Sequence, residues 1–125
     1  MNGYSVSIAE TSMELSAKER IRVKDTSDAI KLDEATQNGE VVIEPSAYVI
    51  LNIHNEKSDN KDYENYLILD YDGTKYVTGS ESFWSSFKNI WDEMAQYNEE
   101  AWQVKAYRLP SKNYKGKDFI TCSII

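Results

Sequence analysis

The segment "YENYLILDYDGTKYVTG" places a strong turn signal between two stretches of alternating, aromatic-rich residues. An Asp-Gly pair favours the tight turn of a β-hairpin, because glycine adopts the positive φ that such turns require. Asp72-Gly73 therefore predicts a hairpin with strands at about 66–71 and 75–78. Of all the local patterns in the chain, this one constrains the fold most.

The hydrophobic period changes directly after this hairpin, in "SESFWSSFKNIWDEMAQ". Phe83, Phe87, Ile90 and Met94 recur at the three- to four-residue spacing of a helix. Ser80 or Ser82 can cap the start of that helix. The pattern predicts one main α-helix at about 80–96, whose apolar face packs on a sheet or closes the end of a barrel.

Alternating strands are predicted on both sides of the hairpin and helix. "SAYVILNIHNE" places Val49, Leu51 and Ile53 on one face, and two further strands, "WQVKAYRL" and "DFITCSII", finish the chain. On these last two strands, Trp102, Val104, Ala106, Ile120, Cys122 and Ile124 form the predicted core phase.

From residue 46 onward the predicted order is three strands, a helix and two strands. This order is that of a five-stranded, OB-like β-barrel with its helix between the third and fourth strands. We therefore expect a mainly β, single-domain protein of residues 1–125, in which residues 46–125 form the OB-like core. Residues 1–45 are expected to add an extension of short peripheral strands or an arm, with an Asn38-Gly39 turn signal before Val41.

The residues that usually carry catalysis or bind metals are sparse. The single histidine, His54, lies on an alternating strand, and Cys122 lies on an apolar phase where a thiol is usually a small core residue. The carboxylates of Asp59, Asp62 and Glu64 lack the register of an EF-hand. We expect no enzyme, no metal site and no cofactor.

The single cysteine excludes an internal disulfide, and no apolar run approaches the ~20 residues of a membrane helix. The first residues also lack the pattern of a signal peptide. A reduced, cytoplasmic protein without membrane association is expected.

Charge is divided unevenly along the chain. The first 100 residues hold nine Lys and Arg against 20 Asp and Glu, whereas the last 25 hold five Lys and Arg against one Asp. The basic residues of this last segment alternate with aromatic ones, on the non-core phase of the last two strands and in the loop between them. Single-stranded nucleic acid needs this combination, because cations neutralise phosphates and aromatic rings stack on bases. The predicted nucleic-acid-binding residues are Lys105, Tyr107, Arg108, Lys112, Tyr114, Lys115, Lys117 and Phe119, with Tyr48 in support.

Other interpretations of the same residues stay open. A Lys-rich loop between two strands is also typical of a soluble hairpin that guards a sheet edge. The acidic clusters at 59–64 and 70–72 could instead mimic phosphates in a protein-binding module that inhibits a host nucleoprotein, of the anti-restriction or anti-CRISPR type. A third interpretation is a structural protein whose N-terminal arm mediates assembly into a homo-oligomer.

The hairpin and helix "DGTKYVTGSESFW" and the lysine-rich segment before "DFITCSII" together resemble the small OB-fold single-stranded DNA-binding proteins of phages and mobile elements. The resemblance covers roughly residues 46–125. It implies coating of exposed single strands during DNA replication, without sequence readout, in the cytoplasm of the host cell. It leaves open whether the strand is DNA or RNA. Two departures from the family are the apolar "TCSII" in place of an acidic tail and the acidity of the domain.

Overall fold

The computed structural model describes residues 3–99, 101–110 and 118–125, and its chain divides into two compact units. The first unit consists of residues 1–30 and 46–79, and the second consists of residues 31–45 and 80–125. Each unit thus combines two separate stretches of the sequence around a sheet of its own.

The first unit is built on a five-stranded sheet. Its elements are β1 (Tyr4–Thr11), α1 (Ala17–Lys24), the two-residue strand β2 (Ile30–Lys31), β4 (Pro45–Asn55), β5 (Asp62–Asp70) and β6 (Lys75–Thr78). The strands lie in the order β1-β4-β5-β6-β2. One face of the sheet buries Val49, Leu51 and Leu67, against which Val23 of α1 packs. The predicted core phase of Val49, Leu51 and Ile53 is confirmed.

The predicted hairpin joins β5 to β6, and its strands pair from Tyr66 opposite Thr78 to Leu69 opposite Lys75. Gly73 has a φ of 93°, and its N–H donates to the carbonyl of Asp70 at 3.0 Å. The Asp72 carboxylate accepts a hydrogen bond of 2.8 Å from the backbone N–H of Thr74, which holds the pKa of Asp72 below its usual value. The turn prediction is confirmed, although β5 begins earlier than expected, at Asp62.

The second unit is built on a three-stranded antiparallel sheet of order β3-β7-β8. Its elements are α2 (Leu32–Ala35), a 3-10 turn (Thr36–Asn38), β3 (Val41–Ile43), α3 (Glu81–Gln96), β7 (Val104–Pro110) and β8 (Asp118–Ile124). The α3 bounds confirm the predicted helix, and the Ser80 hydroxyl caps it by accepting from the N–H of Phe83. Phe83 and Phe87 are fully buried, and the Ser82 hydroxyl donates to the Ile120 carbonyl of β8 at 2.8 Å.

The mainly β class is confirmed, but the described strands lie in two sheets and form no closed barrel. Closure of the expected barrel would pair the first predicted core strand, β4, with the fourth, β7. In the structure, β4 has β1 and β5 as its two neighbours, and β7 has β3 and β8. The edges that barrel closure would need are therefore occupied by strands from the N-terminal part of the chain.

Residues 3–45 contain three strands, β1, the two-residue β2 and β3, but the extension is not made of strands alone. Ser16 and Glu19 form a capping box that starts helix α1, and Leu32 begins the short helix α2. Leu32 and Ile43 are fully buried in the second unit. This part of the chain thus contributes core residues.

Candidate functional site

The outer face of the second unit's sheet combines a cation with exposed aromatic and aliphatic side chains. Strand alternation places it opposite the buried residues Val104, Ala106 and Cys122. Across the strands, Lys105 pairs with Ser123, Tyr107 with Thr121 and Leu109 with Phe119, and Val42 of β3 lies beside Lys105. We define the outer face as Val42, Lys105, Tyr107, Leu109, Phe119, Thr121 and Ser123.

Three apolar members of the outer face are exposed to solvent. Val42 is 51% exposed, Leu109 40% and Phe119 38%. Val42 pairs with Lys105, and Leu109 pairs with Phe119 further along the same face. Exposed apolar side chains that share one face with a cation are suited to a contact surface.

Lys105 and Tyr107 form the polar centre of the outer face. The Lys105 ammonium lies 5.5 Å from the centroid of the Tyr107 ring, which is within cation–π distance. It also lies 3.2 Å from a carboxylate oxygen of Glu40, the residue directly before β3. The Tyr107 hydroxyl shares a 2.6 Å hydrogen bond with the Ser123 hydroxyl of β8, which fixes the orientation of the ring.

Arg108 lies on the opposite phase of β7 and takes part in a different set of contacts. Its guanidinium donates to the Asp118 carboxylate at 2.7 Å, to the Thr36 hydroxyl at 3.1 Å and to the Asp33 carbonyl. Asp118 begins β8 and pairs in register with Pro110, so the ion pair joins the two strand ends that border residues 111–117. Arg108 therefore connects α2, β7 and β8 and is not part of the outer face.

The structure brings together three of the predicted binding residues, namely Lys105, Tyr107 and Phe119. Tyr48 belongs to the first unit and is only 6% exposed, and its hydroxyl donates to Glu10 at 2.7 Å. Its ring therefore presents no face on which a base could stack. The remaining predicted residues, Lys112, Tyr114, Lys115 and Lys117, lie outside the described residues.

Val42 and Leu109 belong to the outer face but are not among the binding residues predicted from the sequence. Strand alternation carried the signal for both, because an odd number of positions separates each from a buried residue of its strand. Val42 is one position from Ile43, and Leu109 is three positions from Ala106. What the alternation alone could not give is the register that sets Val42 beside Lys105.

A second polar cluster surrounds His54 in the first unit. One ring nitrogen lies 2.7 Å from the Asp62 carboxylate and the other lies 2.7 Å from Glu56, which in turn lies 3.2 Å from the Lys61 ammonium. The hydrogen bonds to Asp62 and then Glu56 raise the pKa of His54. The bond from His54, followed by that from Lys61, lowers the pKa of Glu56.

This cluster borders an open cleft of about 410 Å³, which Ser5 and Ser7 also line. Both nitrogens of His54 are engaged by carboxylates, which favours the doubly protonated imidazolium. In this arrangement neither nitrogen is available to accept a proton from a serine hydroxyl. The geometry is that of an ion-pair cluster and not of a nucleophile with its base.

Cys122 is buried on the core phase of β8, and this burial raises the pKa of its thiol to about 12. A thiol with such a pKa is poorly nucleophilic near neutral pH. In the described ranges, no three His, Cys, Asp or Glu side chains are grouped so that they could hold a metal ion. No helix in that same part of the chain is long and apolar enough to cross a membrane.

In comparisons with known proteins, no family model, no curated protein and no solved structure matches this chain.

Proposed function

We propose that the outer face, together with the lysine-rich segment 111–117, binds single-stranded DNA without reading its sequence. The observation that carries this proposal is the position of the Lys105 ammonium beside the Tyr107 ring, on the same sheet face as the exposed ring of Phe119. A cation beside the half-buried ring of Tyr107, with the exposed ring of Phe119 further along the same face, fits alternating phosphates and bases.

Each component has a separate physical role. Lys105 and the lysines at 112, 115 and 117 neutralise phosphates, while Tyr107, Tyr114 and Phe119 stack on bases. A stacked base contributes about 1–3 kcal/mol, and stacking tolerates any base because every base has a π-face. Hydrophobic contact with Val42 and Leu109 would add to the binding free energy without adding sequence preference.

Binding of this kind requires only the outer face and the lysine-rich segment 111–117, so it does not depend on a closed OB-like barrel. Arg108 has a supporting role in it, because its ion pair with Asp118 joins the end of β7 to the start of β8. Coating of single strands in the replication of phages or mobile elements is the biological setting that the sequence resemblance implies. RNA is the alternative strand type.

The direct test is fluorescence polarisation of a labelled oligo-dT at two salt concentrations. Binding should weaken with salt by about 0.7 log units of affinity per neutralised phosphate per log unit of salt. The triple variant Lys112→Glu, Lys115→Glu, Lys117→Glu should lower the affinity at least tenfold and flatten the salt dependence.

A matched control is the triple variant Lys18→Glu, Lys24→Glu, Lys57→Glu, which makes the same charge change at exposed positions of the first unit. It should bind oligo-dT more strongly than the first triple variant. Equal losses in the two variants would show that net charge alone governs binding, and absence of salt-sensitive binding by the wild type would refute the proposal.

The structure gives less support to the alternative of an acidic, phosphate-mimicking surface that binds a host protein. Among the carboxylates concerned, Asp62 is engaged by His54 and Asp72 by the backbone of Thr74. Capture of a host nucleoprotein together with failure to bind oligo-dT would favour this alternative.

A further inference from the structure

We propose that Glu40 masks Lys105 in the unbound protein, and that a phosphate group of the bound strand replaces the Glu40 carboxylate. This inference rests on the proposed function and adds regulation of the same site. It starts from the ion pair of 3.2 Å between Lys105 and Glu40 at the centre of the outer face.

The strand register keeps the two side chains together. Glu40 directly precedes β3, and Val42 of β3 pairs with Lys105 of β7. Next to them, the Tyr107 ring limits the directions from which an anion can approach the ammonium. The carboxylate of Glu40 therefore occupies a position from which a phosphate oxygen could also accept a hydrogen bond from Lys105.

The pair is suited to exchange because both partners remain accessible to solvent. The side chain of Lys105 is 39% exposed and that of Glu40 is 58% exposed. Exposed ion pairs contribute little to stability, so opening this one costs little. Carboxylate and phosphate oxygens compete for the same donors of a lysine ammonium, and only one of them can hold it in a given geometry.

Masking predicts that the effect of Glu40 on binding depends on the presence of Lys105. Glu40→Gln keeps the size and polarity of the side chain but removes its charge. It should raise oligo-dT affinity roughly two- to fivefold, the range of an exposed ion pair expressed as an equilibrium constant. In a Lys105→Gln background, the same substitution should change oligo-dT affinity by a factor close to one.

The experiment is a double-mutant cycle by polarisation with labelled oligo-dT, using the full chain in four forms: wild type, Glu40→Gln, Lys105→Gln and the double variant. Such a cycle isolates the coupling between two side chains from their separate effects. Glu34→Gln is the matched control, because Glu34 is an exposed carboxylate on α2 of the same unit.

The expected result is a gain in affinity for Glu40→Gln that exceeds the gain for Glu34→Gln and disappears without Lys105. A gain that is equal in both Lys105 backgrounds, or equal to that of Glu34→Gln, would mean general charge repulsion and overturn the masking while leaving the proposed function intact. No binding by any of the four forms would overturn both.

Discussion

His54 makes the stability of the first unit sensitive to pH through its contacts with Asp62 and Glu56. Because the folded state raises the pKa of His54, its contribution to stability is complete below the unfolded value of 6.5 and is lost as pH rises through the folded pKa. The contribution of Glu56 to stability depends on pH in the opposite direction, because the folded state lowers the pKa of Glu56. This contribution is present above the unfolded value of 4.5 and is lost as pH falls through the folded pKa.

We therefore predict that the cluster contributes most between about pH 4.5 and 6.5, the reference values of the two groups. The urea midpoint of the wild type should fall from pH 6 to pH 8 by more than that of His54→Gln. Lys61→Gln is the control, since it removes a charge from the cluster without removing the imidazole. Parallel pH profiles for the wild type and His54→Gln would contradict the assignment.

Arg108 was predicted from the sequence to bind nucleic acid, but in the structure it connects elements of the second unit. Its guanidinium joins Asp118, Thr36 and the Asp33 carbonyl, and only 22% of its side chain is exposed. The sequence places it one residue after Tyr107, in a basic segment, and cannot show which acceptors α2 will bring to it.

We predict that Arg108→Met lowers the free energy of unfolding by about 2–3 kcal/mol, because three acceptors would lose a charged donor. Lys88→Met, which removes an exposed ion pair with Asp92 one helical turn away, should cost only about 0.3–0.5 kcal/mol. Urea denaturation of both variants measures the difference, and equal losses would show that Arg108 is no more than a surface residue.

At the scale of elements, α1 illustrates a conflict between two sequence signals. Ile21 and Val23 are separated by one residue, as in a strand, but Ile21 is 68% exposed and only Val23 is buried. The signal that decides the structure is the capping box "SAKE", in which Ser16 accepts from the N–H of Glu19 and Glu19 accepts from the N–H of Ser16.

We predict that Ser16→Ala destabilises the protein by about 1 kcal/mol, the usual cost of losing an N-cap. Ser16→Asp should retain most of the stability because aspartate is also a good N-cap. Thermal or urea denaturation of the two variants distinguishes loss of the capping hydrogen bond from loss of the surface hydroxyl. A loss of the same size in both variants would argue against the capping box as the cause.

The elements that the sequence predicts well are those set by neighbours in the chain. The Asp72-Gly73 turn and helix α3 follow from patterns within fewer than 20 residues, and so does the assignment of Lys105, Tyr107 and Phe119 to one face. Strand pairing is different, because β1 with β4 and β3 with β7 join segments far apart in sequence. Alternating patterns define a face but not a partner, which is why the sheets could not be derived.

At the scale of the whole molecule, the chain passes between the two units after residues 30, 45 and 79. Each unit is therefore completed by a segment from the first 45 residues. The first unit takes β1 and α1 from it, and the second takes α2 and β3. In the second unit this part of the chain supplies the fully buried side chains of Leu32 and Ile43 and two of the three acceptors for Arg108.

A fragment of residues 46–125, the segment predicted from the sequence to be a complete core, should therefore fail to fold on its own. It would leave β4 without β1 and β7 without β3, exposing two strand edges and the apolar surfaces beneath them. For the fragment we expect a circular dichroism spectrum with reduced β signal and no cooperative urea transition, whereas the full chain should unfold cooperatively. Addition of a peptide of residues 1–45 should restore part of the transition, because it provides the missing strands in trans. A fragment that unfolds as cooperatively as the full chain would show instead that the N-terminal elements are peripheral.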